Sequence, residues 1–519
     1  MGIDRPAGLH FATRSEVASC NGMACTSHPL ATQTALDILR RGGTAVDAAI
    51  GANSVLTVCE PHSCGVGGDL FAIVYEASAK KLHGLNASGR SPGRLTLEEF
   101  KRLGHKSIPT YGPLSVSVPG CVDGWFELHK KFGKLPMNAL LQYAIDYAQN
   151  GFPLAPEGAI ARKKAKKLFS NYPNFKQLFD EDIKHGEILK NTNLSKTLTL
   201  LGTEDFSQHK SDWIEPISTN YRGYDVYELP PNGQGLAALQ MLNILEEYDF
   251  SKIEFGSFEH IHLFVEAKKI VYEDRAKFYS DLDYMKPGII DKLISKEYAR
   301  ERRQLINMNS AQTHIELNEK LLTGDTVYLT TSDKDGNMVS LIQSNFCGFG
   351  SGCIPDGLGF MLQNRGELFS LKEGEANTYS PHKRPFHTII PAFVMGKDKT
   401  PFLSFGVMGG AFQPLGHVQI LMNIIDFKMN TQEAGDAPRI DHQGSSEPIG
   451  KEADSNGGTV TLESGFKFET IRQLMEVGHK IGWALPGSYG GYQAIRFNSK
   501  NNVYFGATDS RKDGHAAGY

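Results

Sequence analysis

The sequence predicts a mixed α/β fold with a core large enough for one or two domains. At 519 residues the chain exceeds a typical single domain, so it can bury a sizeable core. Helix-patterned and strand-patterned stretches alternate along it. At its centre, two runs rich in β-branched and aromatic residues, 326–331 and 338–344, flank Asp333-Lys-Asp-Gly-Asn337, whose Asp335-Gly336 pair is a hairpin-turn signal.

In chain order, residues 27–43 carry an apolar stripe of Ala31, Ala35, Ile38 and Leu39, with Ser27 as the expected cap and Gly42 as the stop. A second helix, starting near Thr44, is rich in small residues and is expected to pack closely. The loop Cys64-Gly-Val-Gly-Gly68 runs into a strand over 70–75. A phosphate loop runs from a strand into a helix N-terminus instead, so phosphate binding is excluded here. Residues 97–248 read as mainly helical, with an amphipathic helix from about Val118 and a strand, turn and helix start over 224–235. The basic run 162–167 is a single cluster in an acidic chain and reads as a solvated helix face. Residues 260–278 are helical, and 301–322 form a charged, exposed connection. Further on, 402–408 is a strand. Gly409-Gly410 follows it, and then a helix with Leu415, Val418, Leu421, Met422 and Ile425 on one side. Two glycines at a strand-to-helix junction suit either an oxyanion hole or a tight, close-packed turn. Two last strands fall near 493–496 and 503–506.

A net charge of −4 gives no basic surface for nucleic acid or a membrane. No apolar run reaches the ~18 residues of a membrane span. The first residues lack an apolar signal core, and Pro6 stands where a myristoylation signal has Ser or Thr, so the expected location is cytoplasmic. The seven cysteines are odd in number and form no CxxC, which favours reduced, buried thiols. No HExxH occurs, and neither a cofactor nor a metal is expected.

Several segments, in order along nearly the whole chain, resemble the γ-glutamyltransferase (glutathione hydrolase) family. They include GMACTSHPLATQTALDILRRGGTAVDAAI, CEPHSCGVGGDLF, ELPPNGQG, GDTVYLTTSDKDGNMVS, KRPFHTIIPAF, MGGAFQP and DSRKDGHAAGY. The likeness is nearest to a γ-glutamyltransferase-like branch common in bacteria. It implies an N-terminal-nucleophile hydrolase, a four-layer αββα sandwich made from one precursor. On that reading 1–325 is the large-subunit region and 326–519 the small-subunit region, parted between Asp325 and Thr326. Thr326 becomes the nucleophile, because scission turns its amide nitrogen into an amine with a pKa of about 7.7–8.0, able to accept the hydroxyl proton.

The resemblance implies further roles. Gly409 and Gly410 match the glycine pair that holds the oxyanion, and Ser344 stands where the family has a threonine that orients the nucleophile. Arg90 corresponds to the arginine that binds a substrate carboxylate, and Asn345 lies one position from the substrate-binding asparagine, whose ungapped position is Phe346. His387 and Thr388 replace a serine pair. Leu368 stands where the family has the aspartate that holds the substrate's α-ammonium group, with Glu367 beside it but on the other face if the segment is a strand. Residues 370–382 are shorter than the family's lid, so a more open pocket is expected, and 197–212 looks truncated.

The expected activity is self-processing followed by cleavage of γ-glutamyl amides of the glutathione kind. The acyl-enzyme ester is resolved by water or by an acceptor amino acid or peptide. One alternative is an amidohydrolase like the cephalosporin acylases, acting on a dicarboxylic acyl amide without an α-amino group. A second is a non-maturing family member that serves as a binding protein.

Overall fold

The computed structural model describes residues 11–179, 182–202, 210–313, 325–483 and 487–519. Gly324, just before the expected scission, and residues 203–209 of the apparent truncation lie outside the described residues.

Two seven-stranded sheets form the centre, and every strand pair within them is antiparallel. The first sheet runs Val17–Ser19, Val503–Thr508, Gly491–Asn498, Pro401–Met408, Ala392–Met395, Tyr224–Glu228, Ile217–Tyr221. The second runs His515–Gly518, Met23–Thr26, Asp325–Ser332, Met338–Phe346, Asp69–Glu76, Lys81–Ala87, Asp212–Ile214. Each sheet therefore mixes strands from both sides of Thr326 in the chain. Met23–Thr26 sits between two strands that come from the later part.

Apolar side chains from both sheets, among them Phe71, Ile73, Tyr328 and Ile342 from one and Phe393, Met408 and Ile495 from the other, form the layer between them. Helices Pro29–Arg40, Ala45–Cys59, Cys121–Phe132 and Met137–Asn150 cover the outer face of the second sheet. Helices Gly235–Glu246, Phe258–Phe278 and Gln413–Ile425 cover the first. This is the αββα sandwich, in which each sheet has one face on its partner and one under helices.

The central hairpin forms as the sequence predicts, and the Asp333 side chain explains its turn. It accepts hydrogen bonds from the backbone of Asp335 and Asn337, both at 3.0 Å, and from Ala45 at the start of helix Ala45–Cys59, at 2.9 Å. The turn is thus tied to a helix that is buried along its whole length and opened by a Thr44–Asp47 capping box.

Three expectations need correction. The first helix is capped by the His28 side chain, while the Ser27 hydroxyl donates to Glu60 instead. Helix Gln413–Ile425 is buried on nearly every side, not on one, because it lies between strand Pro401–Met408 and neighbouring helices. Residues Arg365–Leu368 form a 3₁₀ turn, so the strand-face argument separating Glu367 from Leu368 does not apply. None of the seven cysteines is in a disulfide, and five are buried.

Candidate active site

Thr326 is 1 % exposed, one residue into its strand. Its ladder is irregular at this point: Asp325 faces Phe346 and Val327 faces Gln343, so Ser344 and Asn345 together oppose Thr326. Such a two-against-one bulge re-aims side chains at the end of a strand. Here the Thr326 hydroxyl donates to Ser344 Oγ at 3.2 Å, and the same Oγ accepts the Phe346 amide at 2.8 Å. Phe346 carries φ of +77°, a strained value for a residue with a side chain. The Ser344 hydroxyl is thus fixed from two directions.

Asn345 turns its amide away from this bond, into the glycine loop. A methyl group on Gly65 or Gly68 would lie 2.9 or 2.6 Å from the Asn345 side chain. Gln343 clasps the same loop, donating to Gly65 O at 2.7 Å and accepting from Gly65 N at 3.2 Å. The glycines of the loop thus allow the end of the hairpin strand to seat closely, a structural use of the motif for which phosphate binding was excluded.

Gly409 and Gly410 have φ of +134° and +58° at the end of strand Pro401–Met408, where a side chain would be strained. Gln234, in the PPNGQG segment, braces this corner: its amide donates to Gly410 O at 2.9 Å and to Thr388 O at 2.8 Å. Gln234 is itself held by the fully buried Arg275, which donates to its oxygen at 2.6 Å. Sequence reasoning passed over Gln234 and Arg275, although the first lies within a quoted motif.

His387 is fully buried, and burial pushes its pKa down to about 4, so its ring is neutral. Nδ1 accepts from the Ile389 amide at 3.3 Å, which puts the proton on Nε2, 3.0 Å from Asp69. Asp69 also accepts from Gly89 N at 2.8 Å and so fixes the turn that carries Arg90. Arg90 is about one-third exposed and lies between two carboxylates, Asp281 at 3.3 Å and Asp212 at 3.4 Å. Arg384 joins them through Asp212 at 2.5 Å.

The 3₁₀ turn Arg365–Leu368 brings the Arg365 and Leu368 side chains against Phe346. Leu368 is buried in the same apolar cluster as Phe346 and Phe386. Glu367 accepts from the Thr110 hydroxyl at 2.8 Å, while burial pushes its pKa up to about 7. Arg365 is fully buried, donates through Nη1 to Thr388 Oγ1 at 2.7 Å, and holds its guanidinium 4.4 Å from the centre of the Phe346 ring. Thr388 therefore touches both the Arg365 side and, through Gln234, the glycine corner. Residues 372–380 border a cavity of about 1180 Å³, with Phe278, Tyr298 and Lys383 among its other walls; Thr326 is not one of them.

A family model described as Gamma-glutamyltranspeptidase matches residues 31–204 and 200–519. The chain belongs to the gamma-glutamyltranspeptidase family. Among relatives in this family, the Glutathione hydrolase-like YwrD proenzyme of Bacillus subtilis is 34 % identical, over 96 % of this chain and 98 % of its own. The Acylase ACY 1 proenzyme of a Pseudomonas species (strain SE83) is 31 % identical, over 98 % and 96 %. The crystal structure of cephalosporin acylase from Bacillus halodurans superposes with a TM-score of 0.89 and 38 % identity, over 100 % of this chain and 99 % of that one. The gamma-glutamyltranspeptidase sandwich is thus shared with relatives named as glutathione hydrolases and with relatives named as acylases.

Proposed function

We propose that this chain is a self-processing threonine amidohydrolase and acyltransferase. Its reaction starts at Thr326 once the Asp325–Thr326 bond is hydrolysed. The observation that carries this reading is the Thr326–Ser344 hydrogen bond at a strand bulge. The freed α-amine of Thr326 accepts the hydroxyl proton as Oγ1 bonds to the amide carbon of the donor. The Gly409-Gly410 corner meets the negative charge that develops on the carbonyl oxygen. The ammonium returns the proton to the leaving nitrogen, the C–N bond breaks, and an acyl-Thr326 ester remains. Water or an acceptor amine then attacks the ester, releasing the acid or a new amide and restoring the hydroxyl.

The first donor to test is a γ-glutamyl amide, in keeping with relatives named glutathione hydrolases. A dicarboxylic acyl amide without an α-amino group is the second reading. It is favoured by the apolar Leu368 at the position expected to hold an ammonium ion, since a buried unpaired charge costs several kcal/mol.

The test is to incubate the purified full-length protein and sequence its N-termini. A new fragment beginning Thr-Val-Tyr-Leu is expected. Thr326→Ala should stay one chain and lose on the order of 10⁴-fold or more in turnover. An intact wild-type chain, or undiminished activity in Thr326→Ala, would overturn the reading.

A further inference from the structure

We propose that Arg365 forms a carboxylate-binding subsite for the acyl donor, opened when the bond before Thr326 is cut. This deepens the reading above and rests on it.

Arg365 is a fully buried cation, and among the described residues no carboxylate lies within salt-bridge distance of it. Its guanidinium donates through Nη1 to a neutral hydroxyl, Thr388 Oγ1, and among the described residues no hydrogen-bond acceptor meets Nε or Nη2. Asp69 is the largest of the negative influences on it, ahead of Cys347 and Glu367, yet the Asp69 oxygens already serve His387 and Gly89. Burial lowers the arginine pKa only to about 10, so the group is charged at neutral pH. A buried guanidinium costs several kcal/mol unless an anion and further hydrogen bonds offset it. The two open nitrogens form the edge that a carboxylate meets with two parallel hydrogen bonds.

The location ties this edge to the reaction. The guanidinium rests on the Phe346 ring, and the Phe346 amide is bonded to the Ser344 hydroxyl that receives Thr326 Oγ1. On its other side Thr388 leads through Gln234 to Gly410. An acyl group on Thr326 with its carbonyl at the glycine corner therefore extends its far end toward Arg365. In the intact chain Asp325 is the ladder partner of Phe346. Hydrolysis after Asp325 releases that position, next to the ring on which Arg365 lies, so the step that frees the nucleophile also opens the subsite.

The ligand chemistry is a free carboxylate a few methylenes from the scissile amide. Two donors supply it: a γ-glutamyl group through its α-carboxylate, and a simple dicarboxylic acyl group. The test uses matured protein, with maturation of each variant checked by N-terminal sequencing and folding by thermal melting. Glutarate and butyrate binding are measured by calorimetry, which needs no turnover. Hydrolysis of glutaryl-, γ-glutamyl- and butyryl-p-nitroanilide is then compared in wild type, Arg365→Gln and Arg365→Lys. Glutarate should bind at least tenfold tighter than butyrate. Arg365→Gln should remove that preference and lower kcat/KM at least about 30-fold for the carboxylate-bearing donor that wild type prefers. Butyryl turnover should change less than about threefold, and Arg365→Lys should fall between.

A preference for the glutaryl over the γ-glutamyl anilide assigns the subsite to a dicarboxylic acyl group, and the reverse to an α-carboxylate with the ammonium also held. Either supports the subsite. Equal binding of glutarate and butyrate, or equal losses on all three anilides in both variants, overturns it. Failure of the wild type to cleave itself shows instead that the underlying reading has failed.

Discussion

Arg90 and Arg365 are both arginines near the turn fixed by Asp69, and they live in opposite surroundings. Arg90 is partly exposed and bracketed by Asp212 and Asp281, with Arg384 sharing both acids through its own backbone and side chain. Arg365 is fully enclosed against a threonine hydroxyl and a phenyl face, with two nitrogens unmatched by protein. A matched charge holds structure, whereas an unmatched buried one marks where a ligand's charge belongs. On the proposed reading the donor carboxylate meets Arg365, whereas the family resemblance implies Arg90.

The largest expected effect is the loss of at least about 30-fold in kcat/KM for Arg365→Gln on the preferred carboxylate-bearing anilide. Arg90→Gln should lose less than about fivefold on the same donor, as a partly exposed pair is worth at most ~1 kcal/mol. Parallel kinetics on the two matured variants would reverse the assignment if the losses came out the other way round.

A smaller effect concerns Glu367. Its carboxyl lies close enough to Arg365 to feel its charge, and it ionises near pH 7. Above that pH it competes with a bound carboxylate, so glutarate affinity should drop several-fold between pH 6 and 8, and Glu367→Gln should abolish the drop. The same group shapes stability. Its folded pKa of about 7 lies above the ordinary 4.5, so the folded chain binds the extra proton. Its contribution therefore weakens as pH rises from about 4.5 to about 7 and is flat beyond. Melting curves of Glu367→Gln should lack that decline.

The smallest effect on activity belongs to Asp281→Asn. It leaves Arg90 with one acid and weakens the hold on the Arg384 amide, now 2.7 Å from Asp281. A stability loss of about 1 kcal/mol is expected, with turnover within twofold. A large activity loss would draw the Arg90 cluster back into substrate binding.

Much of the fold was legible because its signals are local. The hairpin announces itself through Asp335-Gly336 between two β-branched runs, and Asp333 completes the turn with bonds to residues within four positions. Gly409-Gly410 is visible as a pair, and the positive φ values explain why glycine stands there. What stayed hidden depends on distant partners. Whether an arginine is paired cannot be read from its neighbours in sequence: Arg365 is defined by Thr388 and Phe346, and Arg90 by Asp212 and Asp281. The 3₁₀ turn at Arg365–Leu368 carries no strong local signature, so a period-2 reading of Glu367 and Leu368 had nothing to correct it. The Asp69 carboxylate that holds the His387 ring lies more than 300 residues earlier, beyond the reach of any local pattern.

The interleaving of the two sheets has a mechanical consequence. Met23–Thr26 is hydrogen-bonded on one side to Asp325–Ser332 and on the other to His515–Gly518. In the other sheet, Val17–Ser19 and Tyr224–Glu228 flank four strands from beyond Thr326. Scission before Thr326 would divide the covalent chain without dividing the object. The pieces are woven like fingers of two clasped hands, and each would leave the other with raw strand edges that water and aggregation would find at once. Such a pair would separate only on unfolding, and the new N-terminus would stay where the unbroken chain had put it.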